Sequence, residues 1–114
     1  MDVERFSADA TTVLDSLGDR LTPDDQDSLR TYLLAGEWGL LADELAAALV
    51  EDRTPIAAAE RDLVRALLFA FAPAPEYAEL HPAIHDRERV LAALNVVSDP
   101  RAPSPSPPPR SPDR

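Results

Sequence analysis

The sequence predicts an all-α fold, a small bundle of four to five helices. Ala and Leu dominate over Val, Ile and Thr among the 114 residues, which favours helices over strands. Apolar residues recur at helical spacing through most of the chain, and a chain of this length has room for one hydrophobic core. We therefore expect a single helical domain over residues 1–98, followed by a disordered tail rich in Pro, Ser and Arg over residues 99–114.

Spacing and capping residues delimit the first three helices. The first ends at Gly18 and has one apolar face, made of Val3, Phe6, Ala10, Val13, Leu14 and Leu17. The second begins at Thr22-Pro23, an N-cap followed by a proline suited to the first turn. It ends at Gly36, and its apolar stripe is Leu29, Tyr32 and Leu33. The third follows the corner at residues 36–39 and runs to about Glu51, so that an antiparallel helix pair is expected.

A fourth and a fifth helix are expected in the second half of the chain. Thr54-Pro55 repeats the cap-and-proline start, and Pro73 and Pro75 end the helix because proline has no amide hydrogen. The broad apolar face between them consists of Ile56, Ala59, Leu63, Val64, Leu67, Leu68 and Phe71. The fifth helix is expected over about residues 82–95, beginning near His81-Pro82, and its apolar residues are Ile84, Val90, Leu91 and Leu94.

The negative charge is concentrated in the first half of the chain. The formal net charge is −10, and every basic residue is Arg. Residues 1–52 hold 13 acidic residues against three arginines, whereas residues 53–114 hold eight of each. This field attracts basic protein surfaces and repels phosphate backbones and anionic membranes, so we expect a protein partner and no direct contact with nucleic acid or membrane. The alternative is that the acidity serves only solubility.

The sequence offers little material for catalysis. It contains no Cys, no glycine-rich phosphate loop and no nucleophile or kinase motif. His81 and His85 have the i, i+4 spacing of metal ligands, yet no HExxH pattern is present and Pro82 indicates a capping role for His81. We expect no enzyme activity, no cofactor and no metal. No secretory signal or membrane span is recognisable, which favours a cytoplasmic protein.

The most distinctive stretch is the corner Gly36-Glu37-Trp38-Gly39, which contains two of the three glycines and the only tryptophan. Trp38 either packs between two helices or lies partly exposed at an interface. The run AGEWGLLADEL over residues 35–45, with Pro55-Ile56 opening the next helix, resembles the small helical immunity proteins of the MafI family. These are bacterial antitoxins encoded beside polymorphic toxins. The resemblance covers about residues 22–72, while Leu41 stands where a small residue is common and residues 73–114 have no counterpart.

The resemblance implies an immunity protein that binds and neutralises a cognate toxin, and the acidic charge suits a basic toxin such as a nuclease. The partner-binding residues that this hypothesis selects are Asp19, Asp24, Asp25, Asp27, Glu37, Trp38, Asp43 and Glu44. We expect a monomer or a small homo-oligomer. One alternative is a regulatory or scaffold adaptor that recruits proteins through the apolar face of the fourth helix and the Pro-rich tail, where Pro105–Pro108 fits a PxxP pattern. Another is a metal-dependent hydrolase built on His81 and His85.

Overall fold

The computed structural model describes residues 1–100, and within them the fold is all-α, as the composition predicts. Five helices have seven residues or more, two are single turns, and a 3-10 turn covers Gly18–Arg20. The α-helices are α1 Val3–Leu17, α2 Pro23–Ala35, α3 Trp38–Glu51, α4 Ala58–Leu68, α5 Tyr77–Leu80, α6 Pro82–His85 and α7 Arg87–Ala93. The predicted tail lies outside the described residues from residue 101 onward.

Helix α1 forms one wall of the core and packs along α4. The Asp2 carboxylate caps its first turn by accepting a hydrogen bond from the Arg5 amide at 3.1 Å. Its predicted apolar face is confirmed for five buried residues, which are Phe6, Ala10, Val13, Leu14 and Leu17. The prediction is wrong for Val3, which is 47% exposed because it lies in the first turn, outside the core.

Helices α2 and α3 form the predicted antiparallel pair. The Thr22 hydroxyl accepts a hydrogen bond from the Asp25 amide at 3.1 Å, and Pro23 occupies the first turn of α2. Gly36 ends α2 in the left-handed conformation at φ 73°, where a residue without a Cβ is favoured. The Glu37 amide then donates to the Tyr32 carbonyl at 2.9 Å and closes the turn. Both helix boundaries therefore follow the sequence signals.

The start of α4 differs from the prediction, because Thr54-Pro55 does not begin a helix. Ile56 lies in extended backbone and makes an isolated parallel bridge to Val96. Its amide donates to the Asn95 carbonyl at 3.0 Å, and its carbonyl accepts from the Val97 amide at 2.8 Å. The Ile56 side chain is completely buried. Pairing with the distant 95–97 segment thus overrides the local helix-start signal, and α4 begins at Ala58.

The prediction of one continuous fifth helix over about residues 82–95 is wrong, since two short helices, α6 and α7, lie there and the single turn α5 precedes them. Each of the two later helices is joined to the rest of the fold by a side-chain hydrogen bond. The Asp43 carboxylate accepts a hydrogen bond from the Ala83 amide in α6 at 2.7 Å. The Arg87 guanidinium donates to the Leu68 and Phe71 carbonyls at 3.1 and 2.8 Å, so α7 caps the C-terminus of α4, which ends at Leu68, before the predicted prolines.

A buried ion pair between Arg20 and Glu60 joins the first and second halves of the chain. The side chains are only 15% and 7% exposed, respectively. Glu60 accepts hydrogen bonds from both terminal nitrogens of Arg20, from the Ser16 hydroxyl and from the Ala57 amide, the last at 2.7 Å. Arg20 also donates to the Pro55 and Ser16 carbonyls at 2.9 and 2.8 Å. The end of α1, the 3-10 turn and the start of α4 therefore share one hydrogen-bond network.

The ionised form of Glu60 is strongly favoured in the folded protein. Burial by itself would raise the pKa of Glu60. Hydrogen bonds from Arg20, Ala57 and Ser16, together with the positive charge of Arg20, outweigh burial and lower the pKa from 4.5 to about 2. The stabilisation is therefore fully present above pH 4.5, the value for the unfolded chain, and is lost as the pH falls towards about 2.

Replacing Glu60 with Gln is expected to lower the free energy of unfolding by about 3 to 5 kcal/mol at pH 7, because Arg20 is left buried without a counter-charge. Urea unfolding at pH 7 checks this loss. A matched control is Asp62→Asn on the same helix, where the side chain is 65% exposed and pairs with Arg61. This control should change stability by less than about 0.5 kcal/mol.

A comparison of the wild type with Glu60→Gln tests the pH dependence of the ion pair. Between pH 4.5 and about 2 the wild type should lose about 3 kcal/mol that Glu60→Gln does not lose, since the pKa shift of Glu60 acts only in this window. Parallel curves for the wild type and Glu60→Gln would contradict the assignment.

Arg53 is the only residue other than glycine with a positive φ, 51°, among residues 1–100. It follows the C-terminus of α3, where the Thr54 amide donates to the Leu49 carbonyl at 3.1 Å. This left-handed conformation disfavours any residue with a Cβ. Arg53→Gly should therefore raise the free energy of unfolding by about 1 kcal/mol, measured by urea unfolding at high salt so that charge effects are screened. Arg53→Ala removes the same charge but keeps the Cβ, and an equal gain in that variant would refute the explanation.

Candidate protein-binding surface

The corner at residues 36–39 is built from packing contacts. The ring of Trp38 lies 5.4 Å from that of Phe6, measured between centroids, and Trp38 itself is half-buried. It covers Gly36, where an added Cβ would meet the indole at 3.6 Å. The structure thus gives Trp38 a clear packing role between α3 and α1.

Gly39 and Asp43 lie one turn apart on α3 and receive the segment that contains His81 and Ala83. A Cβ on Gly39 would lie 2.7 Å from Nε2 of His81, so the imidazole occupies the space that a side chain would need. Asp43 accepts the hydrogen bond from the Ala83 amide. Asp43, a sequence-predicted partner contact, therefore already has a structural role in holding α6.

The histidines show no arrangement for metal binding. His81 is the N-cap residue of α6, and its buried Nδ1 has no hydrogen-bond partner within the described chain. His85 is exposed. No group of three or more His, Cys, Asp or Glu side chains in residues 1–100 is placed to hold a metal ion.

Gly39→Ala tests whether His81 needs the space above this glycine. In a helix the change to Ala would ordinarily stabilise by about 1 kcal/mol. Here the clash with the imidazole should reverse the sign and lower the free energy of unfolding by about 1 to 2 kcal/mol. In a His81→Ala background the same change should become stabilising, which a double-mutant cycle by thermal or urea unfolding would show. Destabilisation of equal size in both backgrounds would contradict the contact.

The α2–α3 pair, residues 22–52, carries most of the chain's excess negative charge. It holds eight acidic residues and one arginine, which leaves seven negative charges. The arginine, Arg30, donates to Asp15 of α1 at 2.7 Å and to Gln26 at 3.1 Å. Helix α3 contains no basic residue at all. The negative charge of this pair is therefore largely uncompensated within the pair itself.

Five of these carboxylates line a shallow groove of about 240 Å³ between α2 and α3, with Ala47 and Ala48 as its apolar lining. They are Asp25, Asp43, Glu44, Glu51 and Asp52. Three of the five were predicted as partner contacts, and Glu51 and Asp52 were not. The missed pair could have been found from spacing, because residues seven or eight positions after Glu44 lie on the same face of a helix. We call this feature the acidic groove.

The remaining predicted contacts lie outside the acidic groove. Asp24 and Asp27 are exposed on α2. Asp19 lines a different recess beside the 3-10 turn, together with Asp15 and Ser16. Glu37 and Trp38 lie at the turn between the helices, about 20 Å from the N-terminus of α2 along a helix of 13 residues. The predicted residues therefore extend along the pair and do not form one compact site.

The helix dipoles act differently on the carboxylates of α2 and on those of α3, although the N-terminus of α2 and the C-terminus of α3 lie at the same end of this antiparallel pair. Asp24 and Asp25 lie at the N-terminus of α2, where the positive end of the dipole stabilises carboxylates. Glu51 and Asp52 lie at the C-terminus of α3, where the negative end of the dipole disfavours them, and α3 has no basic residue in its last turn.

Comparisons of this chain with protein-family models, with curated proteins and with solved structures found no match. Within residues 1–100, no helix combines the length and the apolar character needed to cross a membrane.

Proposed function

We propose that the α2–α3 pair is a binding surface for a basic protein and that the chain acts as an immunity protein. The observation that supports this most strongly is the acidic groove, where five carboxylates meet without a basic side chain. A cationic partner would relieve the mutual repulsion of Glu51 and Asp52 and their unfavourable position at the end of α3. Long-range attraction would also speed the encounter between the two proteins.

The resemblance to MafI-type immunity proteins supplies the class of partner. Under this proposal the partner is a cognate toxin in the bacterial cytoplasm. A nuclease fits the acidic surface of this chain, because the active site of a nuclease binds negatively charged phosphates. The acidic groove would present carboxylates where the toxin binds its anionic substrate. Neutralisation then follows from occupying that surface, without any chemical step by the immunity protein.

The adaptor alternative receives no comparable support from the fold. The apolar face of α4 points into the core, where Val64, Leu67 and Leu68 are buried. These side chains are therefore occupied by packing and are not exposed to a second protein. The PxxP pattern at 105–108 lies outside the described residues.

The decisive variant neutralises four carboxylates of the acidic groove together: Asp25→Asn, Glu44→Gln, Glu51→Gln and Asp52→Asn. Asp43 is left intact because it holds α6. We expect association with the toxin encoded in the adjacent reading frame to slow by about 10-fold or more at low salt, and its salt dependence to weaken. Stopped-flow association rates at several salt concentrations measure this effect, and survival on co-expression with the toxin reports protection.

A control variant of equal charge change separates the groove from net charge. It carries Asp62→Asn, Glu76→Gln, Glu79→Gln and Glu88→Gln, all at exposed positions outside the α2–α3 pair. This control should retain most of the association rate and full protection. Equal losses in the two variants would assign the effect to net charge, and an adjacent gene product that is harmless without this chain would refute the immunity function.

A further inference from the structure

Helix α2 is the least buried long helix in the first half of the chain, since Leu29 is its only fully buried residue. One exposed stripe runs along its outer side at helical spacing and consists of Asp24, Asp27, Thr31 and Leu34. Leu34 is 89% exposed, more than any other large apolar side chain in residues 1–100. The stripe therefore changes from acidic at one end to apolar at the other, about 15 Å away.

The apolar end of this stripe is not isolated. Tyr32 and Leu33 beside Leu34 are only half-buried, and Ala35 is exposed. Glu37, which is also exposed, follows within one turn. Carboxylates thus lie on both sides of an apolar patch around Leu34, and no other part of the described chain covers this side chain.

We propose that this stripe docks on a basic protein surface that contains an apolar recess, with Leu34 entering the recess and the carboxylates contacting the cations around it. This inference rests on the proposed function and adds the kind of surface that the partner presents. Charge complementarity selects the occupant. A second copy of the chain would bring the same carboxylates against Asp24, Asp27 and Glu37, and like charges in an interface oppose association.

The two kinds of side chain should act on different rates. Charges at the rim of an interface mainly set the association rate and its dependence on salt. An apolar side chain that loses its contact with water mainly sets the dissociation rate. Leu34→Ala should therefore speed dissociation and leave the association rate unchanged. The double variant Asp24→Asn and Asp27→Asn should slow association and leave the dissociation rate unchanged.

The test uses the full chain and two synthetic peptides rich in Arg and Lys, of equal length and charge. One peptide carries leucines along one face, and in the other these leucines are replaced by serine. We expect the leucine peptide to bind about tenfold more tightly by calorimetry and to shift the Leu34 methyl signals in NMR spectra. Leu34→Ala should abolish this preference, and Leu34→Met should restore most of it. Phe69→Ala, at an exposed apolar side chain on the α4 side, should retain the preference.

Three other outcomes would overturn the inference, and they differ in what they leave standing. If both peptides bound equally and Leu34→Ala changed neither affinity, the apolar contact would be contradicted, while the acidic binding surface of the proposed function would remain supported. If neither peptide bound at low salt, both the apolar contact and the acidic binding surface would be contradicted. A concentration-dependent dimer in sedimentation that Leu34→Ala dissociates would assign the stripe to a second copy of the chain.

Discussion

The ion pair between Arg20 and Glu60 determines how the two halves of this chain meet. Glu60 accepts a hydrogen bond from the Ala57 amide at the start of α4, and it accepts others from Ser16 at the end of α1 and from Arg20. Arg20 in turn holds the Pro55 carbonyl, in the extended segment where a helix would otherwise begin. Since both side chains are almost entirely removed from water, neither can lose the other without leaving a charge buried. The position of α4 against α1, and with it the closure of the core, depends on this network.

This arrangement leaves the outer side of the α2–α3 pair available for binding. The core is filled by α1, α3 and α4, while α2 contributes mainly Leu29. Most of the charges of α2 therefore face solvent, and its one arginine is directed back to α1. The short C-terminal helices pack on α3 at Gly39 and Asp43. As a result, the most acidic part of the chain is also a part of the surface that the fold does not use for packing.

How far the sequence predicts this structure depends on how local each determinant is. The end of α1 at Gly18, the start of α2 at Thr22-Pro23 and its end at Gly36 follow from caps and glycines within one turn, and the extent of α3 to Glu51 follows from apolar spacing; all four are confirmed. The start signal at Thr54-Pro55 fails because Ile56 pairs with a segment about 40 residues away. Nothing in the local sequence marks that pairing. The same limit applies to Asp43, whose hydrogen-bond partner Ala83 is equally distant. By contrast, the place of Glu51 in the acidic groove follows from spacing on a single helix.

The corner that carries the family resemblance is explained largely by folding. Gly36 provides the left-handed end of α2, Trp38 packs on Phe6, Gly39 makes room for His81 and Asp43 holds α6. A motif with these roles constrains how two helices turn and what packs on them, and it says little about what the protein binds. The residues that we propose to bind a partner are the carboxylates of the acidic groove and the outer stripe of α2, and among them Asp43 also has a packing role because it holds α6. Under the proposed function, residues 36–39 mainly determine how the two helices turn, and most of the carboxylates that would contact the partner lie elsewhere on the same helices.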